Sequence, residues 1–448
     1  MTQLSEHPSV KRFRERSAIE RHERVSILDA EELRKICLEA GADDVGFVEV
    51  DRPELAKERD DILRFFPHTK ALISFVLRMN RGPIQNSARS VANVEFHQSG
   101  DRVNETAHRI VAVLEARGIR AVNPAMGFPM EMVNVGSGKL WVVSHKPVAV
   151  AAGLGHMGIH RNVIHPKFGN FILLGTVLVD ARISDYQRPL DYNPCLECKL
   201  CVSACPVGAI GSDGYFDFST CYTHVYREFI GGFTNWVEQI ADSKNASEYR
   251  RRVTDSESAS MWQSLSFGAN YKSAYCMAVC PAGDDVMAPF ITDRAQYLQD
   301  VVRPLQDKEE TVYVVPKSDA EDYVAKRFPN KRTKRVGNGL NRLRSISAFL
   351  NGLPLTFQRN QSKGLDATYH FTFEGTEQRQ ATVTIRNQKL EVTDGHIGKA
   401  DIVVTADSKT WLGFLAKERN LVWALVRRKI RLKGSPKLLL AFGKCFPS

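Results

Sequence analysis

The stretch CLECKLCVSACP, Cys195 to Pro206, spaces four cysteines as C-x2-C-x2-C-x3-C-P. Three thiolates at that spacing can wrap one cubane of iron and sulfide, while the fourth points away toward a second cluster. Proline after the fourth cysteine ends the loop and pre-sets its turn. Zinc competes for any four-cysteine set, but its motifs usually come as separated C-x2-C pairs. Three further cysteines follow: Cys221 alone, then Cys276 and Cys280 in YKSAYCMAVCP. Cys280, with Pro281 after it, is the natural distant donor to complete the set begun by Cys195, Cys198 and Cys201. Cys205 then falls with Cys221 and Cys276. Those seven thiolates are one short of two complete 4Fe–4S sites. In a regular C-x2-C-x3-C-P partner motif the missing cysteine would stand where the chain has Ser273. Three readings follow. The second cluster is a 3Fe–4S; or Ser273 or a nearby group ligates a fourth iron; or the second cluster is absent and its cysteines are structural.

The chain has 448 residues, 43% apolar and 25% charged, with nine cysteines, the other two being Cys37 and Cys445. Crowded cysteines in a cytosolic chain point to metal rather than disulfides. No run of about 18 apolar residues exists, and the mixed-charge N-terminus lacks the apolar core of a secretory signal. The expectation is a cytoplasmic protein. The net charge is +10, and KRFPNKRTKRVGNGLNRLR, Lys326 to Arg344, holds eight basic residues and no acid. A second basic cluster is Arg427 to Lys437. Such stretches suit nucleic acid, an anionic membrane surface or an acidic electron-transfer protein; a solvated linker is the plain alternative. No G-x-G-x-x-G follows a strand, so a built-in dinucleotide site is not expected. Electrons would come from an external ferredoxin or flavodoxin, for which the basic stretches are docking surfaces.

The elements that must position these residues read as follows. Ser26 or Asp29 caps a helix running through Leu38. Asp43–Val50, Lys70–Arg78 and Phe171–Asp180 are strands, and the stretch from Asn104 to Glu115 has helical spacing. This first part is α/β or α+β. Residues 301–343 read as a polar, basic connection. Ala367–Glu374, Gln380–Arg386, Gln388–Thr393 and Ala400–Ala406 alternate as antiparallel strands. Amphipathic helices follow from Ser408, Asn420 and Pro436.

The segment HKPVAVAAGLGHMGIHRNVIHPKFGNFILLGTVLVD, His145 to Asp180, precedes the cysteine run, and lone Cys221 lies between the two cluster motifs. Together they resemble the corrinoid-dependent iron–sulfur reductases: reductive dehalogenases and epoxyqueuosine reductase. The resemblance covers about residues 27 to 290. It implies a nitroreductase-like domain holding cobalamin base-off beside two iron–sulfur clusters, one 4Fe–4S and the second 4Fe–4S or 3Fe–4S. Gly153, Gly155 and Gly158 would let backbone approach a large flat ligand; a strand–helix corner with packing glycines is the alternative. The family's dehalogenases use a tyrosine as proton donor, and its epoxyqueuosine reductases an aspartate ahead of A-G-L-G. Counting back from Ala152, that aspartate falls near Lys139, where no acid stands. His145 and His156 flank the glycines and are candidate proton donors. No D-x-H-x-x-G cobalt-ligating motif is present; DGHIG at Asp394 is one residue short. That fits base-off binding and fits a chain without cobalamin equally.

From about Arg344 the chain resembles the sterol carrier protein (SCP) family, on GLDATYHFTFEG, the paired strands after it and the K-G-S-P turn before a last helix. That family implies a curved sheet roofed by helices over an apolar tunnel, with Trp411, Phe414, Leu415, Trp423 and Leu439 lining or covering it. The expected order is an N-terminal extension (1–25), an α/β nitroreductase-like, cobalamin-binding domain (26–185), a dicluster ferredoxin-like domain (186–300), a basic linker (301–343) and a small α+β SCP-like, lipid-binding domain (344–448). The function this implies is an iron–sulfur, cobalamin-dependent oxidoreductase reducing a lipophilic small molecule, by reductive dehalogenation or a related reaction. A non-catalytic electron-transfer or lipid-binding protein that has lost the corrinoid is the alternative. Epoxyqueuosine reduction on tRNA ranks third, and nucleic acid is not expected as a partner.

Overall fold

A computed structural model describes residues 4–19, 27–131, 141–229, 231–337, 343–416 and 418–447. Its first sheet has four strands in the order Asp44–Glu49, Ala71–Arg78, Ile172–Val179, Ala121–Val122. All three pairings are antiparallel, so the first part takes the α+β alternative rather than a parallel α/β sheet. The reason lies in the connections: antiparallel neighbours need no crossover helix between each pair.

Both faces of this sheet are covered. Phe47, Ile73 and Val177 pack on Leu33 and Cys37 of the Ala30–Ala40 helix and on Val103, Ile110 and Leu114 of the Arg89–Ala116 helix. The alternating residues Val48, Leu72 and Leu178 pack on Val148 and Ala151 of the His145–Ala151 helix. Strands buried on both faces read as continuous apolar runs, which is how ALISFVLR and ILLGTVLV look. Of the two candidate caps, Asp29 acts: its carboxylate accepts from the Glu32 N–H at 2.8 Å.

The region from 186 does not stand apart. Met79, Ile84, Phe96 and Phe171 share one core with Leu200, Val207, Tyr275, Val279 and Val324. Nor is 301–343 a bare linker. Thr311–Val314 and Arg332–Arg335 form a parallel pair flanking the Asp319–Arg327 helix, and Leu305, Val312, Val314 and Val324 are buried in that same core. Of the eight basic residues in this stretch, three are tied to acids. Lys331 is buried against Glu310, Lys334 binds Glu257 and Arg335 binds Glu321. The polar composition hid a folded unit in which three of the described cations are spent within the chain.

The C-terminal unit is a five-stranded sheet in the order Lys389–Asp394, Arg379–Arg386, Ala367–Glu374, Ile402–Asp407, Ile430–Gly434. Its central pair is parallel and the rest antiparallel. The last strand, IRLKG, carries too few apolar residues to announce itself. Trp411, 1% exposed, packs edge-on against Phe349, Phe371 and Phe373 in a separate core that includes Leu439. Phe414 and Leu415 are half-buried, whereas Trp423 is 63% exposed and stands outside that core.

This unit is docked on the rest by polar contacts. Gln358, 1% exposed, donates to the buried Asp217 carboxylate and accepts from the Asp319 N–H, both at 2.8 Å. Tyr215 donates to the Phe357 carbonyl, and Arg359 binds Asp213. Replacing Gln358 by leucine strands two buried partners, at roughly 1–3 kcal/mol. Gln358→Leu should therefore lower the thermal midpoint and speed proteolysis near residue 343. An unchanged midpoint and digest would show that the contact does not hold the unit.

Candidate iron–sulfur centre and adjoining recess

Cys195, Cys198, Cys201 and Cys280 line one small cavity, with His160 and Pro281 also on its wall. The first three come from the loop ahead of the Leu200–Ala204 helix and from that helix itself; Cys280 follows the Tyr275–Ala278 helix. Backbone contact fixes the approach of the two segments. A Cβ at Gly169 would meet the Ala282 carbonyl, and one at Gly283 would meet Gly169 itself. Both glycines hold left-handed backbone, which glycine alone adopts at little cost. Asp284 and Asp285 then donate N–H bonds to the carbonyls of Pro166 and Lys167 at 2.8 and 3.0 Å.

Cys205, Cys221 and Cys276 form the second set. Burial pushes the Cys221 thiol up, and the nearest further contributions come from Cys276 and Cys205. Burial, then Cys205, pushes Cys276 up to about 12. Burial first, and then the thiols of Cys276, Cys280, Cys198 and Cys195, raises Cys201 as well, so the two sets are neighbours. The backbone turns amides toward some of these sulfurs. Burial raises Cys205, while N–H groups of Val207, Ala209, Gly208 and Ile210 oppose it, that of Ala209 at 3.3 Å from Sγ. Such an arrangement suits sulfur carrying the charge of a ligated cluster. Cys37 and Cys445 take no part; each is buried in an apolar core.

The residues present fit iron–sulfur clusters on these observations. Four thiols ring a cavity instead of closing on a point, as a cluster with iron at each corner requires. Among the described residues no three His, Cys, Asp or Glu side chains converge as a single-ion site would need. His160 is buried, its Nδ1 accepts from the Asn162 N–H, and its Nε2 has no partner within the chain.

Two further side chains lie near the second set. Lys146 is open to solvent yet walled by protein, with Cys276 and Cys221 among the charges it feels; burial lowers its pKa. Its Nζ donates to the Arg161 carbonyl at 2.8 Å and to Asn162 Oδ1 at 2.9 Å. Tyr226 is likewise exposed but enclosed, and burial, with Tyr271, Cys221 and Cys276 nearby, holds its hydroxyl well above the ordinary value. Aromatic rings pack together nearby: Phe229 lies 4.5 Å from Tyr271 and 5.2 Å from Phe128, centroid to centroid. Neither Lys146 nor Tyr226 stood out in the sequence, because each sits in an ordinary helix-forming context. The only pointer to them was adjacency, Lys146 to the glycine-rich segment and Tyr226 to Cys221.

The candidate proton donors fare differently. His145 Nε2 donates to the Ala125 carbonyl at 3.0 Å, and Nδ1 accepts from the Thr176 hydroxyl at 2.9 Å. Burial lowers its pKa, so the ring is neutral with both nitrogens engaged. His156 contacts the Met157 carbonyl at 3.2 Å. The three glycines face the chain itself. A Cβ at Gly153 would meet the Arg188 carbonyl, at Gly155 the Ile164 carbonyl and at Gly158 the His160 ring. Internal packing accounts for glycine at each. The position near Lys139, where the family's aspartate would fall, lies outside the described residues.

Two segments match family models: residues 189–211 the 4Fe-4S binding domain and 353–447 the SCP-2 sterol transfer family. The chain thus joins a segment similar to iron–sulfur binding domains to one similar to the SCP-2 family. It is also similar to the epoxyqueuosine reductase of Cyclobacterium marinum, 33% identical over 103 residues, covering 21% of this chain and 33% of that one. With the Escherichia coli enzyme it shares 32% identity over 102 residues, 23% and 26% of the two chains. An epoxyqueuosine reductase solved with a modified tRNA stem loop aligns at a TM-score of 0.32 and 19% identity, over 44% and 56% of the chains. A catabolic reductive dehalogenase aligns at 0.37 and 16%, over 61% and 34%. The resemblance to epoxyqueuosine reductases is thus borne out over about a fifth of the chain, and that to the SCP family over residues 353–447. The matched span is about a third of the Cyclobacterium marinum relative's length or less.

The two thiol sets give separable expectations. Cys280→Ala, though remote from the cysteine run, should remove the first cluster and leave the second. Cys205→Ala, within the run, should do the reverse. Iron and sulfide counts with EPR on each variant check this. Loss of the same cluster in both variants would contradict the crossed arrangement.

Proposed function

We propose that this chain is a reductase of a lipophilic small molecule; its seven clustered cysteines would hold two iron–sulfur clusters and its Lys146–Tyr226 region would hold a corrinoid. The observation that carries the reading is the placing of Lys146 and Tyr226 near the thiols of Cys221 and Cys276, with the rings of Phe229 and Tyr271 packed against Tyr226. Cys195, Cys198, Cys201 and Cys280 would hold one cluster, and Cys205, Cys221 and Cys276 the other. Beside the first set, Cys195 is part-exposed and Leu196 and Tyr192 are exposed. An acidic ferredoxin or flavodoxin would meet the chain there.

The Lys146–Tyr226 region fits a flat, partly apolar macrocycle through the faces of Phe128, Phe229 and Tyr271. A bound corrinoid supplies a strongly reducing cobalt centre. Gly153, Gly155 and Gly158 shape the site indirectly, by letting the backbone at Arg188 and Ile164 close in. Tyr226 keeps its proton at neutral pH and can offer it to a reduced substrate. Lys146, fixed by Arg161 and Asn162, places a positive charge where anionic character would develop. His145, with both nitrogens engaged, holds the Ala125 carbonyl in place. The docked SCP-like unit would bind or present the lipophilic substrate.

A second reading is favoured by the named relatives: epoxyqueuosine reduction on tRNA, with the +10 charge attracting phosphate. Two measurements separate the readings. Full-length protein reconstituted anaerobically with iron, sulfide and cobalamin should retain cobalt through gel filtration. Cluster-loaded protein without cobalt would leave the electron-transfer or lipid-binding alternative. Salt-sensitive binding of an epoxyqueuosine tRNA stem loop would favour the second reading. On whichever substrate is turned over, a halogenated phenol or that stem loop, Tyr226→Phe should cost roughly 10²–10⁴ in rate with cluster spectra unchanged. An undiminished rate would remove Tyr226 from the chemistry.

A further inference from the structure

The second thiol set lacks one ligand, and the structure holds a candidate for it. Ser273 is 0% exposed, and its hydroxyl has no hydrogen-bond partner within the chain. A buried hydroxyl left unpaired costs roughly 1–3 kcal/mol, so its retention calls for a partner.

The backbone around it repeats that of a cluster cysteine. In the first motif Cys198 is followed by Lys199, left-handed at φ 61°, which opens the Leu200–Ala204 helix carrying Cys201. In the second, Ser273 is followed by Ala274, left-handed at φ 55°, which opens the Tyr275–Ala278 helix leading to Cys280. A non-glycine residue pays about 1–2 kcal/mol for that conformation. The same strained step at both places turns the preceding side chain inward at both. Ser273 thus stands to Cys276 and Cys280 as Cys198 stands to Cys201 and Cys205.

The loop is held rigidly enough to aim a ligand. Asn93 clamps Tyr271 by accepting from its N–H at 2.9 Å and donating to its carbonyl at 3.3 Å. Lys272 donates its N–H to the Val225 carbonyl at 3.1 Å, and its ammonium binds the buried Glu228.

We propose that the Ser273 oxygen is the fourth protein ligand of the second cluster, with Cys205, Cys221 and Cys276, making that cluster a 4Fe–4S. The hydroxyl proton passes to solvent as the Fe–O bond forms, displacing a water or hydroxide from that iron, and no electron moves. This rests on the reading of two clusters in the chain.

The test is anaerobic reconstitution of the full chain with ferrous iron and sulfide, read by Mössbauer and EPR spectroscopy and iron counts. The wild type should hold two 4Fe–4S clusters. Ser273→Ala should keep the first intact and convert the second to a 3Fe–4S, losing one iron. Ser273→Cys should keep both and raise the second cluster's reduction potential, because thiolate stabilises ferric iron less than alkoxide does. The first cluster's signal shows in each variant that the chain has folded. A 3Fe–4S second cluster in the wild type, or a 4Fe–4S one in Ser273→Ala, overturns Ser273 ligation alone. A wild type with a single cluster overturns the two-cluster reading and this proposal with it.

Discussion

Seven thiols brought into one buried region are the constraint on which the structure depends. As bare groups Cys276 and Cys280 resist ionising: burial and mutual crowding push both up to about 12. Iron reverses that, since a coordinated thiol is deprotonated outright. Ligand binding of this kind is folding energy, because no preformed site exists in the unfolded chain. The fold therefore has to deliver cysteines from three separate segments, 195–205, 221 and 276–280, to two adjacent points. Every close backbone approach around them, above all the meeting of Gly169 with Ala282 and Gly283, serves that delivery.

The same requirement explains why the domains are not beads on a string. The first sheet's edge and long helix lend Met79, Ile84, Phe96 and Phe171 to the core around the cysteine helices. Along this shared boundary the His145–Ala151 helix supplies Lys146 and the turn after the Cys221 helix supplies Tyr226. The SCP-like unit has its own apolar core and joins through Gln358, Tyr215 and Arg359. Its attachment is polar and specific, which keeps it in a fixed relation to the cluster region without merging the two cores.

Much of this was legible in the chain, and the reasons differ by element. The strands Ala71–Arg78 and Ile172–Val179 declared themselves because both faces are buried and a single small polar residue, Ser74 or Thr176, interrupts each apolar run. The cysteine spacing pointed to Cys195, Cys198, Cys201 and Cys280 as one set, and those four side chains line one cavity. The 301–343 segment stayed hidden because its strands are short and its lysines and arginines find partners only in three dimensions. Lys331 is buried against Glu310, a pairing no local pattern can reveal. Lys146 and Tyr226 were invisible for a related reason: what marks them is a neighbourhood built from distant segments. His145 and the three glycines drew notice by type, and their surroundings give them structural work.

The central claim is that two clusters lie side by side. EPR of the fully reduced protein tests it most directly. Neighbouring paramagnetic clusters couple, so the account predicts a broadened spectrum that is not the sum of two isolated centres. It also predicts that Cys280→Ala, by removing one partner, collapses that spectrum to a single uncoupled signal. Two additive, non-interacting signals in the wild type, or one signal only, would contradict it.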